Sequence, residues 1–130
     1  MQLSEMDQVK ASFERCNRDC EFIDHFYQCF MESSPEVTAR FAGVDMDHQV
    51  VMMRASLEML LREVLDPQAL APLAELHSRR GVNIPPNLYE LWLQSLLSTV
   101  QIHDPQCDEA LLTAWRNVLS PGIEAMVRGY

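Results

Sequence analysis

Four histidines are the side chains most able to bind a metal or carry a proton in this 130-residue sequence: His25, His48, His77 and His103. Charged neighbours predict exposed positions for His25 and His48. His103 is expected at a helix end, where the helix dipole favours a cation. His77 differs because Leu73 precedes it by four residues, which places both on one apolar helix face. An imidazole in that position is either a core residue or a ligand, and the spacing alone leaves both open.

The residues around His77 narrow the kind of site it could form. No second histidine or cysteine shares its turn, and no E-x-x-H pair occurs, so neither a zinc site nor a di-iron site is indicated. A single neutral imidazole on a hydrophobic wall is the ligand that haem iron takes from a protein. Arg79 and Arg80 follow closely, either as cations favoured at a helix C-terminus or as partners of an anionic group.

The composition is that of a small acidic chain. Lys and Arg number 10 against 19 Asp and Glu, a formal net charge of −9, which argues against nucleic acid and anionic membrane as partners. The apolar runs fall far short of the ~20 residues of a membrane span, and the N-terminus lacks the apolar core of a signal peptide. Four cysteines without a CxxC pattern are interpreted as reduced thiols. We therefore expect a cytoplasmic protein in which residues 1–130 form a single domain.

Apolar residues recur at helical spacing along almost the whole chain, and no alternating strand pattern occurs, so the prediction is an all-α fold. The predicted helices, in chain order, are one capped by Ser4, one from Asn17 or Asp19, one from Pro35 to about Phe41, one from Asp47, and three over 68–80, 87–102 and 105–127. The fourth helix has an expected buried stripe of Val50, Met53, Leu57, Leu60, Leu61 and Val64. Pro121 followed by Gly122 is a point at which the last helix could be split in two. This order of helices fits either a four-helix bundle or helices crossing steeply around a cofactor.

One set of residues resembles a known family. The pattern Phe26-Tyr27, Pro35-Glu36, Phe41, Gln49, Leu73 to His77 and Ala114-Trp115 is similar to that of the globins, above all the bacterial single-domain globins and the globin part of flavohaemoglobins. Tyr27 precedes Pro35 by eight residues, and Phe41 follows Pro35 by six. Gln49 lies eight residues beyond Phe41, and His77 lies 28 beyond Gln49. The resemblance covers residues 20–120.

The resemblance implies a three-over-three helical sandwich around haem b, with His77 as the iron ligand. It implies that Tyr27 and Gln49 on the opposite, distal side stabilise a bound diatomic gas through their O–H and N–H₂ groups. Arg80 would pair with a haem propionate. The remaining haem-contacting residues that it implies are Phe41, Met53, Leu73, Leu76, Val82, Tyr89 and Trp92.

The implied function is binding of O₂, with NO and CO as further ligands, in gas binding, sensing or NO/O₂ chemistry. NO dioxygenation would need an external reductase, because the sequence contains no GxGxxG or other nucleotide-binding loop. A signalling partner is the other kind of protein partner expected. The sequence also departs from flavohaemoglobins in its short last helix, which has no counterpart of their proximal glutamate. The alternative is a haem-free, globin-like sensor or protein-interaction module.

Overall fold

The computed structural model describes residues 4–63 and 85–128, which form α-helices, one 3₁₀ turn and no strand. The all-α prediction is therefore confirmed for these residues. The helices are α1 (Glu5–Asn17), α2 (Phe22–Glu32), α3 (Pro35–Arg40), α4 (Met46–Glu63), α5 (Tyr89–His103) and α6 (Glu109–Arg128), with the 3₁₀ turn at Pro86–Leu88. The helix predicted over 68–80 lies outside the described residues.

Side-chain caps determine where several helices begin. The Ser4 hydroxyl accepts the N–H of Asp7 at 3.1 Å, which confirms the predicted start of α1. Ser34 caps α3 in the same way, with Pro35 as its first residue, where the missing N–H removes no helical hydrogen bond. A carboxylate of Asp45 accepts the N–H groups that follow it, so α4 begins at Met46, one residue before the predicted start.

Two predicted helix starts are wrong for a related reason. The chain turns over residues 18–21, because the Asp19 carboxylate accepts the N–H of Glu21 at 2.9 Å, and α2 therefore begins only at Phe22. Likewise α6 begins at Glu109, because the Asp108 carboxylate caps the N–H of Leu111 at 2.8 Å. Pro121 lies inside α6 and does not divide it. Burial of the apolar face on both sides of the proline offsets the one lost helical hydrogen bond.

The core forms where α1 packs against α6 and α2 packs against α5. Trp115 of α6 is fully buried, and its ring meets that of Phe13 edge-on with centroids 6.4 Å apart. The predicted stripe of α4 is confirmed in its buried members, Met53, Leu57 and Leu61. Val50 of the same stripe is half-buried, and the Leu60 side chain and Val64 lie outside the described part. None of the helices built from described residues is long and apolar enough to cross a membrane.

A buried carboxylate joins three of these helices. Asp104, at the end of α5, is 2% exposed, and it accepts hydrogen bonds from the Ser12 hydroxyl at 2.6 Å and from Arg15 Nε at 2.7 Å, both on α1. A second guanidinium nitrogen of Arg15 lies 2.9 Å from the other carboxylate oxygen. Trp115 Nε1 of α6 donates to the Ser12 hydroxyl at 3.0 Å. A buried charge is tolerated when it is paired and hydrogen-bonded in this way.

All four cysteines are free thiols. Cys16 is buried on α1, and burial raises its pKa to about 12, so it remains a neutral thiol. Cys20 is exposed and lies beyond the end of α1. Although it follows Cys16 by four residues, the two cysteines therefore do not share one helix face. Cys16 therefore packs as an apolar core residue.

Replacing Asp104 by asparagine is expected to lower the free energy of unfolding by about 2–3 kcal/mol, because Arg15 and Ser12 lose a charged, buried acceptor. Urea denaturation at neutral pH measures the change. Glu124→Gln is the matched control, since it removes the same charge from an exposed position on α6. The control should change stability by less than about 0.5 kcal/mol. An equal effect of the two substitutions would show that the buried network contributes nothing.

The difference in free energy of unfolding between wild type and Asp104→Asn is expected to disappear only in strong acid. Burial raises the pKa of Asp104, but the hydrogen bonds from Arg15, Ser12 and the Gln106 backbone outweigh it, so the pKa lies below its usual range. The stabilisation is then fully present above the ordinary carboxyl pKa of about 4 and is lost as the pH falls through the folded-state value. Denaturation at about pH 7 and about pH 5.5 should give the same difference between the two proteins. A smaller difference at the lower pH would contradict the lowered pKa.

Candidate functional site

The two residues predicted to face a gas ligand, Tyr27 and Gln49, and the predicted haem contact Phe41 come together where α2, the end of α3 and α4 meet. The Tyr27 side chain on α2 is 7% exposed, and its ring lies edge-on to Phe41 with centroids 5.6 Å apart. The Tyr27 hydroxyl donates a hydrogen bond to the backbone carbonyl of Gln49 on α4 at 3.3 Å. Residues separated by up to 22 positions thus share one small region.

Local sequence explains why these side chains point inward. One face of α2 is apolar and buried, and Tyr27 lies on that face with its neighbour Phe26. Phe41 is the C-cap of α3, and its N–H bonds to carbonyls of the last turn, which holds the ring at the end of a six-residue helix. Gln49 lies in the first turn of α4 and is half-buried.

The Tyr27 hydroxyl is a neutral and weakly engaged donor. Burial raises the pKa of Tyr27 well above its ordinary value, so the phenol keeps its proton at any physiological pH. Its bond to the Gln49 carbonyl measures 3.3 Å. Hydrogen bonds donated by a hydroxyl to an oxygen usually span roughly 2.5–3.0 Å. A closer acceptor placed beside Tyr27 could therefore take over this hydrogen bond.

Aromatic rings pack against Tyr27, with Phe26 and Phe41 edge-on at centroid distances of 5.0 and 5.6 Å. Met53, one turn beyond Gln49, is 6% exposed, and the half-buried Trp92 of α5 meets Phe26 edge-on at 5.9 Å. Phe30 is a wall residue that the sequence prediction did not include. It packs against the Phe41 ring at 6.0 Å. Its position three residues after Tyr27, on the same helix face, is the signal that could have indicated it.

Tyr89 is a second buried tyrosine and, unlike Tyr27, its hydroxyl has no hydrogen-bond partner among the described residues. Tyr89, the first residue of α5, is 4% exposed, and its hydroxyl oxygen is unpaired. Burial raises its pKa to about 12, so it too is a neutral donor. An unpaired buried hydroxyl costs about 1–3 kcal/mol, and most such groups in proteins are paired. A bound group that offers an acceptor would pair this hydroxyl, and it could also take over the long hydrogen bond of Tyr27.

The predicted iron ligand, His77, lies outside the described residues. So do four of the predicted haem contacts: Leu73, Leu76, Arg80 and Val82. Within residues 4–63 and 85–128, no group of three or more His, Cys, Asp or Glu side chains is placed to hold a metal ion. The metal site and that part of the haem wall therefore stay predictions.

Comparison with known proteins identifies the fold. No family model matches the chain, and no curated protein does. A solved structure matches over nearly its whole length. It is a crystal structure of a Pseudomonas aeruginosa PAO1 protein, described as structurally highly homologous to a human haemoglobin. The two chains share 37% sequence identity over 98% of each, with a TM-score of 0.93. A close likeness to flavohaemoglobins does not follow from this match. The chain belongs to the family of this haemoglobin-like protein and has the all-α globin fold.

Proposed function

We propose that this globin binds haem b through His77 and takes up O₂, NO or CO on the side of the haem that faces Tyr27. The observation that carries the proposal is the buried, neutral Tyr27 hydroxyl, which lies against α4 at Gln49 and whose hydrogen bond within the described residues is 3.3 Å long. The likeness to a haemoglobin-like protein at 37% identity supports a gas ligand. The cytoplasmic location and the absence of nucleic-acid and membrane partners, inferred from composition, belong to the same proposal.

Haem iron, when bound, would supply the atom at which a diatomic gas is held. His77 would hold the iron as a neutral imidazole. Tyr27 would donate its O–H to the gas, and Gln49 could add an amide N–H from the next helix. Phe41 and Met53 would exclude water from this face, which strengthens a hydrogen bond made there.

Further residues would hold the rest of the haem. Tyr89 and Trp92 on α5 would also contact it, and the unpaired Tyr89 hydroxyl could find an acceptor there. Arg80 would pair with a propionate, because its guanidinium suits a carboxylate. The remaining apolar contacts in this proposal are Leu73, Leu76 and Val82.

A strong donor beside the gas site would slow gas release, which favours sensing or NO/O₂ chemistry over transport. The sequence contains no nucleotide-binding loop, so NO dioxygenation would depend on an external reductase, and sensing on a signalling partner. The similarity to flavohaemoglobins, seen in Tyr27, Gln49 and Tyr89, supports the redox alternative and remains part of the proposal.

Protein expressed with haem available is expected to show a Soret band in its visible spectrum, and His77→Ala is expected to lose it. Without its imidazole ligand, the iron has no strong bond to the protein. His48→Ala is the matched control, because His48 is exposed on α4, and it should keep the band. A protein that stays colourless after reconstitution would instead support the haem-free sensor or interaction module.

Tyr27→Phe is expected to raise the O₂ dissociation rate of the haem-loaded protein roughly tenfold, the effect of losing about 1.4 kcal/mol of hydrogen bonding to the gas. Stopped-flow mixing with an O₂ scavenger measures the rate. Thr99→Val is the control. It removes a buried hydroxyl that bonds to the Ser95 carbonyl within α5, and the rate should stay unchanged. An unchanged rate in Tyr27→Phe as well would remove Tyr27 from the mechanism.

A further inference from the structure

Two histidines that are distant in sequence form a direct contact between α2 and α5. His25 Nδ1 lies 2.9 Å from His103 Nε2, and the rings meet edge-on with centroids 5.1 Å apart. The prediction that His25 is exposed is wrong, because it is half-buried against His103. His103 is the last residue of α5, as its predicted position at a helix end requires. The pair therefore joins the first turn of α2 to the final turn of α5.

Asp19 joins the two histidines as the third member of a cluster, and it determines which nitrogen of each ring carries a proton. Asp19 lies 3.0 Å from His103 Nδ1, and a carboxylate only accepts, so His103 must donate from Nδ1. In a neutral His103 the Nε2 atom is then unprotonated and accepts a hydrogen bond. His25 must donate to it from Nδ1. Both imidazoles are thus Nδ1–H tautomers when the pair carries no charge.

We propose that the His25–His103 pair is an acid-sensitive contact between α2 and α5, which tolerates one added proton and breaks on the second. The first proton can be accommodated because the Nδ1···Nε2 line needs only one hydrogen between the two rings. With both rings fully protonated, two N–H groups point at each other and two positive charges lie side by side. The rings must then separate, and α2 loses this anchor on α5.

The charged side chains that line the cleft beside the pair are acidic. His25 and His103 line an open cleft together with Glu21, Asp24 and Gln28 of the α2 segment. Asp19, in the turn before α2, faces His103 from the other side. Phe22 closes the cluster with its ring edge-on to His103 at 5.6 Å.

The nearby carboxylates favour binding of the first proton. They do not remove the repulsion between the two rings that the second proton introduces. Three carboxylates attract positive charge to the cluster, but none lies between the two facing nitrogens, which are 2.9 Å apart. Asp104, next to His103 in the chain, is paired with Arg15, whose positive charge offsets its own. The described residues provide no third ligand for a metal at the pair, so protons are the ligand that the geometry fits.

Nuclear magnetic resonance of the ring nitrogens tests the pair directly in the wild-type protein. Two-bond ¹H–¹⁵N correlations at about pH 8, where a free imidazole is neutral, should show both His25 and His103 as Nδ1–H tautomers. When the pH is lowered until the spectra show both rings fully protonated, the resonance of the proton that lies between the two rings should disappear. An Nε2–H tautomer for neutral His103, or an intact hydrogen bond between the rings at the lower pH, would overturn the proposal.

A variant that keeps the hydrogen bond without titrating tests the consequence for the fold. In the double variant His25→Asn/His103→Gln, the asparagine amide replaces Nδ1 and the glutamine carbonyl replaces Nε2. Wild type is expected to lose about 4 °C more in Tm than this variant between about pH 7.5 and the pH at which its two rings are fully protonated, since the second proton breaks the hydrogen bond only in wild type. His48→Gln removes an exposed histidine from α4 and should retain the wild-type pH dependence. Equal decreases in wild type and the double variant would overturn the proposal.

Discussion

The requirement that a buried charge be fully paired governs how this helical fold is arranged. Asp104 is almost completely buried, and its two oxygens accept hydrogen bonds from Ser12 and from both donating nitrogens of Arg15. These partners lie about 90 positions earlier in the chain, on α1. Trp115 of α6 donates to the same Ser12 hydroxyl, so one network sets the relative positions of α1, the end of α5 and α6. Apolar packing alone would allow these helices to slide, whereas the fork of a guanidinium does not.

The end of α5 that Asp104 fixes also carries His103, so the carboxylate and the histidine pair share one corner of the molecule. From there α2 packs along α5 through aromatic contacts such as Phe26 with Trp92. The position of Tyr27 follows, because it is one residue beyond Phe26 on a helix held at both its first turn and its middle. The candidate gas site thus depends on packing that begins some distance away from it, at a polar network on the other side of α5.

Sequence reasoning succeeded where the signal is local or periodic. Ser34 before Pro35 indicated α3. The fold brings the Tyr27 ring against Phe41 and its hydroxyl against the backbone carbonyl of Gln49, while the roles predicted for these residues at a gas ligand stay predictions. It failed where partners are remote: nothing near His25 in the chain indicates His103, 78 residues away. It also missed Asp19, because a residue expected to start a helix instead forms the turn that precedes one. Turn chemistry depends on single hydrogen bonds that hydrophobic periodicity does not register.

The buried Asp104 network and the two buried tyrosine hydroxyls differ in how well they are hydrogen-bonded. The Asp104 network is satisfied by short bonds of 2.6–3.0 Å, and it has no capacity left for a ligand. Tyr27, by contrast, makes one long bond to a backbone carbonyl, and Tyr89 makes none. Evolution tolerates an unsatisfied buried hydroxyl only where some gain offsets its cost. Both tyrosines belong to the same hydrophobic core, and a group bound within it would supply the acceptors that the protein itself does not. The hydroxyls of Tyr27 and Tyr89 are therefore the groups with which a ligand within the fold would form hydrogen bonds.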